Sequence, residues 1–379
     1  GATIDTQTGE FSFTPTATQA GQVFSITVRV TDDGSPTLSD TESFDITVQP
    51  QIEPQFTLSP INGPGVGVPG QLRSYSITFT DPNSVGGYTT TIDWGDGGVD
   101  GGVMKTQTSG GVTTGAVSFW HTYTSIGDRT IALTLEDGQG NQLTAQKFVT
   151  VQLVTFQPDP LNPTRRALVA GGLDGIDDLI TFNPQNGGIN VMYRDYNHGR
   201  FVFDGSMIAF GQGGNDTIRV QPSLANTAML FGQDGDDLLV AGAGASVLVG
   251  GVGNDTLHGS AARDLLFGGL GADMLFGIAP DRSGAMDEGD LIASDMTAWE
   301  YDPNLLVSIF HRWSSPDSYA DRLRSLRYLQ ARAINNTTVF DDFATDKLIG
   351  GSGLDWFVLF STDWVMDREP GEQGLGVPL

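Results

Sequence analysis

Apolar and acidic side chains recur with a period of nine residues in the middle of the chain. Units of nine follow one another without a break and begin at Gly232, Ala241, Gly250, Gly259 and Gly268. Four of them place an Asp at the sixth position and an apolar residue two places later, as in Asp237 with Leu239, and the unit at Ala241 has Ser246 instead. The two-residue offset is typical of a short strand, in which alternate side chains share a face. The glycines in the remaining positions of each unit are typical of a tight turn. The pattern predicts a parallel solenoid of stacked coils.

Residues 1–50 alternate apolar and polar side chains, which is typical of half-buried strands. The alternation predicts strands over 11–13, 23–31 and 43–48. The segments 1–13 and 28–32 resemble the second half of a cadherin-like or bacterial Ig-like domain. Three strands leave one face and one edge uncovered. We therefore expect either that this chain is a piece of a longer protein or that a neighbouring molecule covers the surface.

Residues 51–155 predict a second β-domain with a distinctive set of aromatic residues. Trp94 precedes a tight Gly-Asp-Gly turn, and His121 stands two residues before Tyr123. This spacing resembles the PKD domain, a β-sandwich of Ig-like shape, and the resemblance implies that these three side chains are core and corner residues. The alternative for His121 is a catalytic role. Such domains are mostly spacers or adhesion modules, so the resemblance implies architecture more than activity.

Two insertions interrupt the nine-residue pattern within 156–372. Over about 183–208, apolar runs at 189–193 and 200–203 flank 197–199 and predict a hairpin. Over about 296–331, Asp302 and Pro303 begin a helical stripe, and a second helix follows from Pro316. The helices are rich in arginine. We consider two explanations for this charge, the solvated face of a capping hairpin and a partner-binding site.

The repeat units combine the residue types that a calcium-binding turn needs. Those at Gly250 and Gly268 match G-G-x-G-x-D-x-U-x fully, where U is apolar. Glycines let the backbone turn through positive φ and bring carbonyl oxygens near an ion, and Asp adds a hard anionic oxygen. The pattern resembles the hemolysin-type (RTX) calcium-binding repeat. This resemblance implies a parallel β-roll in which two units form one coil.

Units that are 18 residues apart would then stack on the same edge of the roll. The units at 232, 250 and 268 are strong and those at 241 and 259 are degraded, so we expect about four Ca²⁺ ions, mainly along one edge. The expected ions lie between Asp177 and Asp216, Asp216 and Asp237, Asp237 and Asp255, and Asp255 and Asp273. The glycines expected to line these turns are Gly211, Gly213, Gly232, Gly250, Gly253, Gly268 and Gly271.

The nine-residue period returns after the helical segment. Units begin in phase at Arg332, Asp341 and Gly350, and the last matches the motif fully. It adds Asp355 as a candidate ligand. The unit expected to stack on it, at 332, offers Asn335 and Thr337 in place of Gly and Asp.

Composition narrows the possible partners. The formal net charge is −26, which argues against a nucleic-acid partner because phosphates need a basic surface. The same charge suits a chain that recruits divalent cations. The sequence contains no cysteine, which excludes disulfides and thiol catalysis, and it has no apolar run of the length of a membrane span.

We expect an all-β protein with three parts: a partial Ig/cadherin-like sheet (1–50), a PKD-like β-sandwich (51–155) and a parallel β-roll with a small helical insertion (156–372). No H-E-x-x-H, G-x-S-x-G or phosphate-binding loop occurs, so we do not expect an enzyme.

The predicted function is that of a calcium-binding structural or adhesion protein, extracellular or on a bacterial cell surface, whose roll folds on binding Ca²⁺. Besides Ca²⁺, the expected partners are further copies of this chain or neighbouring modules of a longer chain. The segment 165–372 resembles the carboxy-terminal repeat region of large secreted proteins of planctomycete-type bacteria. The alternative is the secretion and folding region of a larger secreted enzyme, because RTX repeats also occur downstream of secreted proteases and lipases.

Overall fold

The protein is built almost entirely of strands, which confirms the all-β class. The computed structural model describes residues 2–49, 55–84, 86–278, 288–297, 303–333, 339–340, 342–368 and 370–376. The chain divides into two compact units. The first contains residues 1–57, 79–84 and 107–114, and the second contains 58–78, 85–106 and 115–379. The predicted domain limits at 50 and 155 stay predictions.

The first unit contains two antiparallel strand pairs. The strands are β1 (Ala2–Ile4), β2 (Phe11–Phe13), β3 (Val23–Thr31) and β4 (Ser39–Thr47). β1 pairs with β2, and β3 pairs with β4 along nine residues. Phe11 packs edge-on against Phe44 at 5.6 Å between ring centroids, and Phe13 lies 5.6 Å from Phe24. The three predicted strands are present, and β1 is an additional strand.

The next nine strands form two antiparallel-rich sheets with an aromatic core. They are β5 (Thr57–Leu58), β6 (Val66–Gly67), β7 (Leu72–Asp81), β8 (Thr89–Asp93), β9 (Val99–Asp100), β10 (Val103–Ser109), β11 (Val112–Thr122), β12 (Gly127–Glu136) and β13 (Gln142–Val151). The sheet orders are β10-β11-β7-β5 and β6-β13-β12-β8-β9.

His121 has a structural environment in this aromatic core. Its ring stacks on Trp94 at 4.4 Å, and its Nε2 lies 2.7 Å from Asp96 Oδ2. The Tyr123 hydroxyl donates to the Trp94 carbonyl at 3.1 Å. Trp94 and Tyr123 are almost fully buried. These contacts support the core and corner roles expected for the three residues.

The remaining strands build a roll of two facing sheets. They are β14 (Val154–Asp159), β15 (Asn162–Gly171), β16 (Leu179–Gln185), β17 (Gly188–Tyr193), β18 (Tyr196–Phe201), β19 (Met207–Gly213), β20 (Thr217–Val220), β21 (Ala228–Asp234), β22 (Leu238–Val240), β23 (Ser246–Val252), β24 (Thr256–His258), β25 (Leu265–Leu270), β26 (Met274–Phe276), β27 (Leu291–Thr297), β28 (Val339–Phe340), β29 (Lys347–Ile349), β30 (Trp356–Leu359), β31 (Trp364–Val365) and β32 (Gln373–Gly376).

Parallel pairing joins each strand to the equivalent strand one coil later. The first sheet has the order β14-β15-β19-β21-β23-β25-β27-β30-β32, and the second has the order β18-β17-β16-β20-β22-β24-β26-β29-β31. Leu239 is in register with Leu257, which is in register with Leu275. These side chains fill the space between the sheets with no exposed surface. The apolar residue two places after each Asp therefore points inward, as the nine-residue pattern predicts.

The helical insertion packs on the outer face of the first sheet. Its helices are α1 (Pro303–Trp313) and α2 (Tyr319–Ala333). Trp313 is fully buried, with its ring 6.2 Å from that of Trp356 in β30. Arg322 lies over the Trp313 ring at 4.9 Å and is only 3% exposed. One of the helical arginines thus covers the apolar interface instead of forming a solvated face.

The predicted hairpin insertion is present, with its turn at a different place. β17 ends at Tyr193 and β18 begins at Tyr196, so the chain turns at 194–195 and not at 197–199. Arg194 adopts a left-handed φ of 52° in this turn. Its Nε donates to Asp178 Oδ1 at 3.1 Å, which places the turn beside the roll.

Two glutamines of the roll hold the aromatic sandwich against it. Gln212 and Gln233 have φ of 81° and 82°, at positions where later coils have Gly251 and Gly269. The Gln233 amide donates to the Gly70 carbonyl at 3.1 Å, and that of Gln212 to the Thr124 carbonyl at 3.2 Å. These contacts explain why side chains replace glycine in the first strong turns.

Candidate metal centre

One edge of the roll carries a row of stacked aspartates. They are Asp216, Asp237, Asp255, Asp273 and Asp346. The Oδ1 atom of each accepts the backbone N–H of the residue one coil earlier, at 2.6–2.8 Å. We call this row the main ladder. Parallel register brings the carboxylates together, because each Asp directly precedes a strand of the second sheet.

The second carboxylate oxygen of each main-ladder residue has no donor. The Oδ2 atoms of all five are buried and have no hydrogen-bond partner among the described residues. A buried anionic oxygen without a partner is costly, and proteins normally pair such an atom with a cation or a donor. The main ladder therefore presents a row of oxygens that are suited to a hard cation.

The first glycine of each repeat leaves room for this oxygen. A Cβ atom at Gly211, Gly232, Gly250 or Gly268 would lie 2.1–2.3 Å from the Oδ2 of the Asp in the same unit. It would also lie 2.2–2.6 Å from a carbonyl oxygen of the following coil. Any side chain larger than hydrogen would displace both oxygens. These four predicted glycines thus lie directly beside the carboxylates.

The fourth position of the repeat needs glycine for a second reason. Gly253 and Gly271 have φ of 140° and 131°, and a Cβ atom on either would lie within 2.3 Å of a carbonyl one coil earlier. Gly214 and Gly235 also have positive φ, and a Cβ atom on them would lie 2.6 Å and 2.0 Å from a carbonyl oxygen one coil earlier. Gly214, rather than the predicted Gly213, is therefore the equivalent residue in the first strong unit. Gly213 ends strand β19 instead.

Burial dominates the electrostatics of the main ladder. Desolvation raises the pKa of Asp216, Asp255 and Asp346 to about 7. It raises the pKa of Asp237 to about 8 and that of Asp273 to about 9, and neighbouring carboxylates add to both shifts. The backbone N–H bonds to Oδ1 oppose these shifts but do not cancel them. A cation between the coils would remove this penalty.

The predicted first site is out of register by one residue. Strand pairing aligns Leu179 with Thr217, so Asp178 and not Asp177 stands opposite Asp216. Both Asp178 oxygens already accept protein donors, namely the Leu173 N–H at 2.6 Å and the Tyr193 hydroxyl at 2.7 Å. The expected pairing of Asp177 with Asp216 is therefore wrong in this structure.

Asp177 belongs to a different, exposed row one position earlier in the repeat. Its Oδ1 accepts the Asn215 N–H at 2.8 Å, and Asp236 Oδ1 accepts the Asn254 N–H at 2.7 Å. These side chains face solvent, so their hydrogen bonds brace the turns without creating a buried charge. Whether Asp177 binds metal stays a prediction.

The opposite edge also carries stacked aspartates, which we call the second ladder. The Oδ1 of Asp264 accepts the Ser246 N–H at 2.5 Å, and that of Asp290 accepts the Asp264 N–H at 2.7 Å. Asp355 Oδ1 accepts the Asp290 N–H at 2.5 Å. Carboxylates thus line both edges, whereas the degraded units at 241 and 259 led us to expect them mainly on one.

Asp355 stacks on a unit other than the predicted one. β30 pairs with β27, so Asp290 is the residue before it in the second ladder. The unit at 341 joins the main ladder instead, because β29 pairs with β26 and Asp346 follows Asp273. Asn335 and Thr337 lie outside the described residues. Asp346 is absent from the predicted ligands, although its position as the sixth residue of the unit at 341 indicates it.

Comparison with known proteins supports the repeat assignment. The family model of the RTX calcium-binding nonapeptide repeat matches residues 229–248 and 249–277, with four copies. The chain therefore carries RTX calcium-binding repeats on a β-roll. No curated protein matches the sequence. Among the described residues, no helix has the length and apolar character needed to cross a membrane.

A solved structure shows only a weak likeness. A crystal structure of an ICAM-5 D1–D4 ectodomain fragment is 13% identical with a TM-score of 0.20. The similarity covers 48% of this chain and 57% of that one, so this chain spans little more than half of it. At this score the likeness carries no argument about function.

Proposed function

We propose that this chain is a non-enzymatic, extracellular structural or adhesion protein whose β-roll folds when Ca²⁺ binds between its coils. The row of buried Oδ2 atoms in the main ladder carries the proposal. Without a cation, each of these carboxylates is desolvated and lies near others of the same charge. The RTX family of the matched repeats agrees with Ca²⁺ as the ion.

The chain's own residues prepare the site for the ion. Backbone N–H groups fix one oxygen of each carboxylate, so the other is held in place before metal arrives. The glycines at the first and fourth positions keep the turns tight enough for carbonyl oxygens to stand nearby. Bound Ca²⁺ would supply two positive charges and join adjacent coils, which couples binding to folding.

The proposed location follows from the expected affinity. Extracellular calcium modules bind in about the 10⁻⁴–10⁻³ M range, well above cytosolic Ca²⁺ levels. The roll would then stay unfolded before export and fold outside the cell. The PKD-like and cadherin-like modules, a bacterial cell-surface location and self-association belong to the same proposal. Their support is the aromatic set around Trp94 and the strand pattern of the first unit.

Calcium removal tests the proposal directly. We expect circular dichroism of the EDTA-treated chain to lose β signal, and millimolar Ca²⁺ to restore it with a higher melting temperature. Mg²⁺ at the same concentration is the control, because it prefers a smaller octahedral shell with several retained waters. Spectra and melting temperatures that do not respond to EDTA or Ca²⁺ would refute calcium-dependent folding.

A further inference from the structure

Three carboxylates converge near the carboxy-terminal end of the roll. One oxygen from each of Asp295, Asp346 and Asp363 lies within 4.8 Å of the other two. Asp295 lies within β27, and Asp346 belongs to the main ladder. Asp363 directly precedes β31 and continues that ladder by one coil, because its Oδ1 accepts the Asp346 N–H at 3.4 Å. The residues come from either side of the helical insertion and from the last coil.

Asp295 is what distinguishes this group from the repeating turns. Strand register aligns it with Gly269, which aligns with Gly251 in the coil before. The corresponding residues of the earlier coils are Gln212, Gln233, Gly251 and Gly269, and none of them is acidic. Here an additional acid reaches the space between the coils. The local charge is therefore higher than at any two-carboxylate step of the main ladder.

Only neutral donors reach these three charges. Backbone N–H groups donate to all three carboxylates, for example the Phe360 N–H to Asp363 Oδ2 at 2.7 Å and the Asp273 N–H to Asp346 Oδ1 at 2.6 Å. The Ser294 hydroxyl lies 2.6 Å from Asp295 Oδ2 and 2.8 Å from Asp363 Oδ2, but its single proton can serve one of them at a time. Asp346 is 1% exposed, and its Oδ2 has no hydrogen-bond partner in the described part of the chain. No ion pair among the described residues involves any of the three.

Burial of like charges without a counter-ion is unfavourable. The desolvation that raises the pKa of Asp346 to about 7 is reinforced by Asp363, and burial also raises the pKa of Asp295. Two arrangements could relieve the charge, namely shared protons or a bound cation. Three hard anionic oxygens within reach of one another match the donor set of a divalent cation such as Ca²⁺.

We propose that Asp295 adds a third carboxylate to the ladder step of Asp346 and Asp363, and that the three form a cation site, the end site, which binds Ca²⁺ more tightly than the two-carboxylate steps. Ion binding there joins the strand before the helical insertion to the strands after it. The Asp342 N–H donates to Asp295 Oδ1 at 3.2 Å, and its carboxylate accepts the Gly271 N–H, so the returning chain already lies against this group. An ion at the end site would therefore fix the strand before the helical insertion to the chain that returns after it.

Counting and titrating bound ions in the full chain tests the end site. We would measure Ca²⁺ per chain by native mass spectrometry and affinity by calorimetry, at neutral pH, for the parent chain, Asp295→Asn and Asp295→Gly. The glycine variant restores the residue of the neighbouring coils. The matched control is Asp317→Asn, which removes the same charge from an exposed position.

We expect both Asp295 variants to lose one ion, or to bind one ion about tenfold more weakly, because Ca²⁺ affinity follows the number of charged ligands. Circular dichroism at saturating Ca²⁺ should match the parent and show that the variants fold. Counts and affinities equal to those of Asp317→Asn would overturn the end site and favour shared protons.

The same experiment separates this inference from the proposed function. Asp237→Asn removes a main-ladder carboxylate far along the sequence from Asp295. If the Asp237 variant loses binding and the Asp295 variants do not, the ladder binds Ca²⁺ and the end site fails. The reverse result retains the end site and contradicts Ca²⁺ binding at the two-carboxylate steps around Asp237.

Discussion

At the scale of the residue, two neighbouring aspartates have opposite environments. Asp236 is exposed, and its Oδ1 braces the next turn by accepting the Asn254 N–H. Asp237 is 2% exposed, and its Oδ2 has no hydrogen-bond partner within the described ranges. The two environments differ because adjacent side chains of an extended segment point to opposite sides of the backbone. Substituting Asp237 or Asp236 by Asn therefore removes the same charge inside the ladder or outside it.

We predict that Asp237→Asn sharply reduces the stabilisation that Ca²⁺ gives to the roll. The amide keeps an oxygen for the Asp216 N–H but removes the anionic partner of the ion. The melting temperature with EDTA should not fall, because a buried unpaired charge is gone. Differential scanning fluorimetry with and without Ca²⁺ measures both effects.

Asp236→Asn is the control for this prediction. It should retain most of the Ca²⁺-induced rise in melting temperature, because the exposed Asp236 does not face the buried oxygen row. Equal losses in the two variants would mean that the ladder geometry does not select the ligand.

At the scale of the element, the helical insertion covers an apolar face that the repeats alone would leave open. The first sheet is buried on its inner side by the leucine core and on its outer side by α1, α2 and Val68 of the sandwich. Trp313 lies at the centre of the outer contact, between Trp356 and Arg322. The insertion is therefore a structural part of the roll and not a flexible appendage.

Trp313→Ala should destabilise the Ca²⁺-loaded roll by about 3–5 kcal/mol, the usual cost of removing a large buried aromatic side chain. Urea denaturation followed by circular dichroism measures the loss. Arg324→Ala is the control, because the Arg324 side chain is 79% exposed and should leave the midpoint nearly unchanged. A Trp313 midpoint equal to that of the control would show that the helices do not stabilise the roll.

At the scale of the whole molecule, a net charge of −26 is partly concentrated inside the roll. The folded pKa values of Asp216, Asp237 and Asp273 are raised to about 7, 8 and 9 from 3.8, so the folded metal-free chain retains protons that the unfolded chain releases. Stability without metal must then fall as pH rises between about 4 and 9.

We predict that the metal-free roll is folded to a greater extent, and melts at a higher temperature, at pH 5 than at pH 8, where it loses β signal, and that Ca²⁺ reduces or reverses this order. Asp5 and Asp137 have lowered pKa values and stay ionised across this window, so they do not oppose the trend. Burial lowers the pKa of His198, which opposes the trend, but as one group against several aspartates. Melting curves in EDTA and in Ca²⁺ at the two pH values check it. A metal-free roll that is more stable at pH 8 would contradict the buried-charge account.

Local sequence predicted the repeating part of the site well. The spacing of 18 residues places Asp237, Asp255 and Asp273 in one ladder, because uninterrupted parallel coils allow only one register. Prediction failed where insertions break the count. The first turn has one residue more than the later turns, six positions from Gly172 to Asp178 against five from Gly211 to Asp216, so Asp178 replaces Asp177. The helices separate Asp290 from its partner Asp355.

The sequence by itself determined the period, the inward-facing leucines, the glycine turns and the acidic character of this protein. These features depend on spacing within one or two coils, which local backbone geometry dictates. Tertiary structure alone decided which carboxylates lack a donor and which stack across an insertion. Register over long loops and burial by distant helices depend on packing that no local pattern encodes, and they bring Asp295, Asp346 and Asp363 together.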